Sequence, residues 1–126
     1  MIINHIALYV TDLKTSTAFY EQIMQLPPIP EPFKIGKHSW FQIGSHCQLH
    51  LIEGATERNQ QIIHTHLAFT TMDMESFVNR LVAANIPYGD VDGRQHTVQV
   101  RPDGIQQVFF QDPDGYWLEV NNDRVI

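Results

Sequence analysis

Four polar residues stand in or at the start of strand-like apolar runs: His5 in "IINHIALYV", His50 in "QLHLI", His66 ahead of "LAF" and Glu119 in "WLEVNN". Three imidazoles and one carboxylate form a donor set suited to a first-row divalent metal such as Zn, Ni, Co, Mn or Fe. A carboxylate among apolar neighbours is costly unless it is paired or bound to a cation. Taken singly, each residue has an ordinary explanation, since a strand histidine is usually a hydrogen-bonded core or rim residue. Their positions in an internal repeat tie them together.

The repeat shows in two places. "NHIALYVTDL" lies over "THLAFTTMDM" with His5 on His66, Ala7 on Ala68 and Asp12 on Asp73. "WFQIGSHCQLHLIE" lies without a gap over "FFQDPDGYWLEVNN", which puts Phe41-Gln42 on Phe110-Gln111, Leu49 on Leu118 and His50 on Glu119. The four polar residues therefore correspond in pairs. His64 and Gln48 compete by strand parity, but His64 falls on Ile3 and Gln48 on Trp117. His38, His46 and His96 read as solvated loop or hairpin residues.

The elements that must position them follow the same plan twice. Residues 2–10 read as a β-branched, aromatic strand. Thr11 and Asp12 can cap a helix over 13–26, which Pro27, Pro28, Pro30 and Pro32 end. A hairpin turns at Gly44-Ser45, and "GATERNQQ" is a polar loop. "IIHTHLAFTT" is again a strand, and Asp73 can cap a helix with Phe77, Leu81 and Ala84 on one face. Strands follow, with turns at Pro102-Asp103-Gly104 and at Asp112-Pro113-Asp114-Gly115, where Pro fixes φ and Gly tolerates φ > 0. The expected fold class is α+β: a single domain, 1–126, of two tandem modules, 1–54 and 62–126. Strand alternation lets one sheet face pack on its helix while the other lines a metal-binding cleft.

Composition excludes several function classes. The 126 residues are 43% apolar, enough for a core. A net charge of -6 with only 8 Lys and Arg argues against nucleic acid and against a polybasic membrane patch. No apolar run approaches the ~20 residues of a membrane helix. The start lacks the basic segment and small-residue cleavage site of a secretory signal, so a cytoplasmic soluble protein is expected. Cys47 is the single cysteine and reads as a small buried hydrophobe.

The stretches "NHIALYVTDLKTSTAFY", "HLAFTTMDM" and "GIQQVFFQDPDGYWLEV" resemble the vicinal oxygen chelate superfamily, which includes glyoxalase I, fosfomycin and bleomycin resistance proteins and extradiol dioxygenases. The resemblance implies two βαβββ modules with curved mixed sheets, a homodimer, and a divalent metal held by His5, His66 and Glu119. Glyoxalase I has a further Glu where this chain has His50, so His50 is a departure, either a fourth ligand or a second proton carrier. Bleomycin-binding members generally lack the metal set that this chain retains.

The expected activity is therefore that of a metal-dependent, glyoxalase-like lyase or isomerase of the lactoylglutathione lyase type. It would bind a small molecule through neighbouring oxygens, such as a glutathione or other thiol adduct, and stabilise an enediolate-type oxyanion. Glu119 would be the base, with His50 as its partner. Arg101 would hold a substrate carboxylate, and Tyr9 and Trp117 would line the cleft. The alternatives are a thiol transferase of fosfomycin-resistance type, with Arg101 and Lys37 available to a phosphonate, a ring-cleaving dioxygenase, and a non-catalytic small-molecule binding protein.

Overall fold

The computed structural model describes residues 1–124; the last two residues of the expected second module lie outside the described residues. The chain forms two compact units, Met1–Arg58 and the residues from Asn59 onward.

The first unit runs β1 (His5–Val10), α1 (Leu13–Ala18) leading into a π-helical turn (Phe19–Ile23), β2 (Pro28–Ile29), β3 (His38–Ile43) and β4 (Cys47–Glu53). Its sheet has the order β1-β4-β3-β2, with β1 parallel to β4 and the other pairs antiparallel. The expected cap at Asp12 takes a different form. The Asp12 carboxylate accepts from the Thr15 hydroxyl, while the first helical N–H, that of Leu13, donates to Glu53 Oε2 at 2.8 Å. The end of β4 thus supplies the acceptor that the helix start needs. Gln25 takes φ 54°, and the helical segment ends before the prolines. Leu8, Val10, Phe41, Leu49 and Leu51 are buried with Phe19 and Tyr20.

The second unit runs β5 (Leu67–Thr70), α2 (Met74–Ala83), β6 (Tyr88–Gly89), β7 (Gln99–Val100), β8 (Gln106–Gln111) and β9 (Trp117–Asn121). Its order is β5-β9-β8-β6, with β7 also paired to β8 and β5 parallel to β9. Asp73 caps α2 as expected, accepting from Ser76 N–H at 3.0 Å. At the Asp-Pro-Asp-Gly turn the Asp112 carboxylate accepts from Asp114 and Tyr116 N–H, and Gly115 takes φ 84°. Phe77 and Leu81 pack on the side of the sheet that carries Val108, Phe110, Leu118 and Val120; Phe77 and Phe110 have ring centroids 5.5 Å apart.

The two sheets share one register. Ala7 pairs with His50 across β1 and β4, and Ala68 pairs with Glu119 across β5 and β9. The repeat is therefore present in the strand pairing as well as in the residue types.

Several local expectations are corrected. The strand expected over "IIHTHLAFTT" begins only at Leu67, because Thr65 N–H closes a turn onto Ile62 O at 2.9 Å. His64 lies in that turn, so strand parity does not apply to it, and His66 stands just ahead of the strand. His38 is the first residue of β3 and half-buried, its ring 4.7 Å from that of Phe33. Cys47 is half-buried rather than buried. β6 and β7 are two residues each and carry no periodicity that a sequence could show. Among the described residues, no helix is long and apolar enough to cross a membrane.

Candidate metal centre

Alternation along β9 puts Leu118 and Val120 on the core face and Trp117, Glu119 and Asn121 on the other. Gln107, Phe109 and Gln111 of β8 stand opposite Asn121, Glu119 and Trp117. Glu119 is 6% exposed, the one buried glutamate among the described residues. Its Oε2 accepts from Asn121 Nδ2 at 2.5 Å and from Gln107 Nε2 at 3.3 Å. Its Oε1 lies 3.3 Å from His66 Nε2.

The other nitrogen of His66 defines what that contact means. Nδ1 is 2.6 Å from Ile63 O, and a carbonyl can only accept, so Nδ1 carries the proton. In the neutral imidazole, Nε2 then presents a bare lone pair to a carboxylate oxygen. Two lone pairs 3.3 Å apart call for a cation, either a proton on the ring or a metal ion. The donor chemistry fits a metal: one imidazole nitrogen and one carboxylate oxygen, each held from behind by a hydrogen bond.

In the first unit, the corresponding face carries His5, Ala7 and Tyr9 of β1, Gln48 and His50 of β4, and His38 and Trp40 of β3. His50 is stacked between two rings. Trp40 lies parallel to it at 3.8 Å and 2°, and His5 at 4.3 Å and 15°. His50 Nε2 is 2.9 Å from Gln48 Oε1, and His5 Nδ1 is 2.7 Å from Asn4 Oδ1. Burial, and then the charges of His5 and His38, push the His50 imidazole below its ordinary value. Imidazole lone pairs lie in the ring plane. As stacked, those of His5 and His50 run along nearly parallel planes and do not converge on one point. Among the described residues of either unit, no three His, Cys, Asp and Glu side chains are grouped to hold an ion.

The remaining expected residues are placed as follows. Arg101 bonds Asp103 through Nε at 3.1 Å and through Nη2, and its Nη1 is 3.4 Å from Asp123 Oδ2. Lys37 Nζ is 3.1 Å from Glu53 Oε1. Both cations already face carboxylates. Tyr9 shares a strand face with His5 and is more than half exposed; Trp117 shares one with Glu119 and is half-buried.

Sequence reasoning passed over Trp40, Gln107 and Asn121. A signal existed for each. Trp40 falls on Phe109 in the repeat, Asn121 has the strand parity of Glu119, and Gln107 opens the apolar run "QVFF".

A mixed sheet whose first strand, with a histidine at or just before its start, lies parallel to its last, and this arrangement given twice in one chain, defines the vicinal oxygen chelate class. The chain belongs to the Glyoxalase/Bleomycin resistance protein/Dioxygenase superfamily, whose family model matches residues 2–120. It is 28% identical over 123 residues to the metallothiol transferase FosB of Shouchella clausii (strain KSM-K16), covering 94% of this chain and 78% of that protein. In structure it is similar to a glyoxalase/dioxygenase from Nostoc punctiforme, with a TM-score of 0.79 and 23% identity over 98% of this chain and 92% of that one. It is also similar to a mutant of the fosfomycin resistance protein FosX from Listeria monocytogenes, complexed with Mn(II) and 1S,2S-dihydroxypropylphosphonic acid. There the TM-score is 0.77 and the identity 23%, over 99% of this chain and 95% of that one.

Proposed function

We propose that this protein is a divalent-metal-dependent enzyme that transfers a thiol to a small electrophile bearing neighbouring oxygens, with His5, His66 and Glu119 as metal ligands. The observation that carries the reading is His66 Nε2 set 3.3 Å from Glu119 Oε1, with the other ring nitrogen committed to Ile63 O. The repeat brings in His5, the first residue of β1, as the counterpart of His66 just ahead of β5. The likeness to a metallothiol transferase over 94% of the chain supports thiol transfer among the activities of the superfamily. A bound divalent ion supplies Lewis-acid polarisation of a substrate oxygen.

The chain's own residues supply orientation and proton handling. Ile63 O fixes the tautomer and tilt of His66. Burial lowers the proton affinity of His50, and with its Nε2–H donating to Gln48 Oε1 at 2.9 Å, Nδ1 would be the proton acceptor. With an epoxide such as fosfomycin, the thiol sulfur bonds to carbon, the ring C–O bond breaks, and the thiol proton passes by way of His50 to the released oxygen. The reading includes a homodimer in the cytoplasm.

The second reading is the lactoylglutathione lyase-type reaction. It is favoured by the repeat pairing of His50 with Glu119, which provides two proton carriers. A side-by-side assay separates the two. Protein reconstituted with Mn(II), Co(II), Ni(II) or Zn(II) receives either fosfomycin with a low-molecular-weight thiol or methylglyoxal with glutathione. A thiol adduct in the first mixture supports transfer. S-lactoylglutathione in the second alone transfers the assignment to the lyase.

A further inference from the structure

The Glu119 carboxylate is held asymmetrically. Oε2 accepts from two amides, Asn121 Nδ2 at 2.5 Å and Gln107 Nε2 at 3.3 Å, while Oε1 faces His66 Nε2. The Asn121 amide cannot be turned over. Its Oδ1 accepts from the backbone N–H of Asp123 at 3.1 Å, and a backbone N–H only donates. A donor is therefore fixed toward Glu119 from the end of its own strand. Gln107 is the cross-strand partner of Asn121, so the second donor comes from the neighbouring strand.

Rotating the carboxylate away would strip two donors from an oxygen on a residue that is 6% exposed. Leaving such a buried group unsatisfied is costly. We propose that Asn121 and Gln107 are positioning residues that hold Glu119 as a one-oxygen ligand through Oε1 and keep it from leaving to act as a mobile base. This inference rests on the reading of His66 and Glu119 as metal ligands. It also narrows the reaction class. Glu119 is then not free to carry a proton between adjacent carbons, which leaves proton transfer to other groups and favours addition of a nucleophile over a shuttle that uses this carboxylate.

Co(II) titration of the full chain tests this, followed by visible absorption, whose intensity falls as coordination number rises. Wild type is expected to bind the ion and His66→Ala to lose binding by at least about 100-fold. Asn121→Leu is expected to bind about 10–100-fold more weakly, the usual effect of removing a group that orients a ligand. Its visible band is expected to weaken as the released Oε2 joins as a second donor. Gln107→Met, which keeps the side-chain volume, is expected to shift affinity in the same direction by about tenfold, and it decides the matter if Asn121→Leu does not fold. Binding that is lost in His66→Ala but unchanged in affinity and spectrum in both amide variants overturns the positioning role alone. Failure of wild type to bind Co(II), or indifference to His66→Ala, overturns the ligand reading and the positioning role with it.

Discussion

His66 Nε2 lies 3.3 Å from Glu119 Oε1, and the proton of the neutral ring is committed to Ile63 O on the opposite side. A divalent ion placed between them would bind the folded state alone. Its addition at about 100 times its dissociation constant should stabilise the protein by about 2.7 kcal/mol. Thermal unfolding with and without chelator measures this, and His66→Ala should show no difference between the two conditions.

His50 should titrate below an ordinary histidine. Its cause is burial first, then the charges of His5 and His38. As pH falls, the unfolded chain takes up its proton near pH ~6.5, before the folded protein does. The stability His50 contributes is therefore whole above that value and declines as pH drops from there through the folded pKa. Proton NMR of the ring resolves the titration. Trp40→Ala opens one face of the stack and should move His50 back up toward its ordinary value.

Glu53 joins the end of β4 to the start of α1. The Leu13 N–H, and then Lys37, hold its carboxyl below the usual range. Its contribution is present above the unfolded pKa of about 4.3 and lost as pH falls through the folded value. Glu53→Ala should lower the urea midpoint at pH 7, and the gap from wild type should close in acid.

Phe110 is 1% exposed, and its ring meets that of Phe77. Phe110→Ala should cost about 3–5 kcal/mol in urea unfolding, the usual range for a buried aromatic truncated to Ala. Divalent-ion binding measured in the remaining folded fraction should persist, because Phe110 lies on the core face and Glu119 on the other.

Much of the fold was legible because the core-facing residues repeat. Leu8 and Phe69, or Leu49 and Leu118, are interchangeable apolar strand residues, and their spacing carried β1, β4, β5 and β9. The Asp73 cap and the Asp112–Gly115 turn were legible for a different reason: short polar side chains and Gly satisfy local backbone demands. The start of α1 was harder, since its acceptor, Glu53, comes from 40 residues away. β6 and β7 are short strands held by the edge of β8, with no pattern of their own. At the site, the repeat picked out His50 and Glu119. It could not show that one is enclosed between rings and the other gripped by amides, because stacking and hydrogen-bond direction depend on neighbouring strands.

Formation of a thiol adduct from fosfomycin, followed by mass spectrometry, tests the assignment most directly. The reaction would compare wild type, His5→Ala and His66→Ala after chelation and re-addition of a divalent ion. The expected result is an adduct whose mass is the sum of thiol and epoxide, abolished by chelator, restored by the ion, and reduced at least about 100-fold in both variants. Adduct formation that survives chelation, or that is unchanged in His5→Ala and His66→Ala, would contradict it.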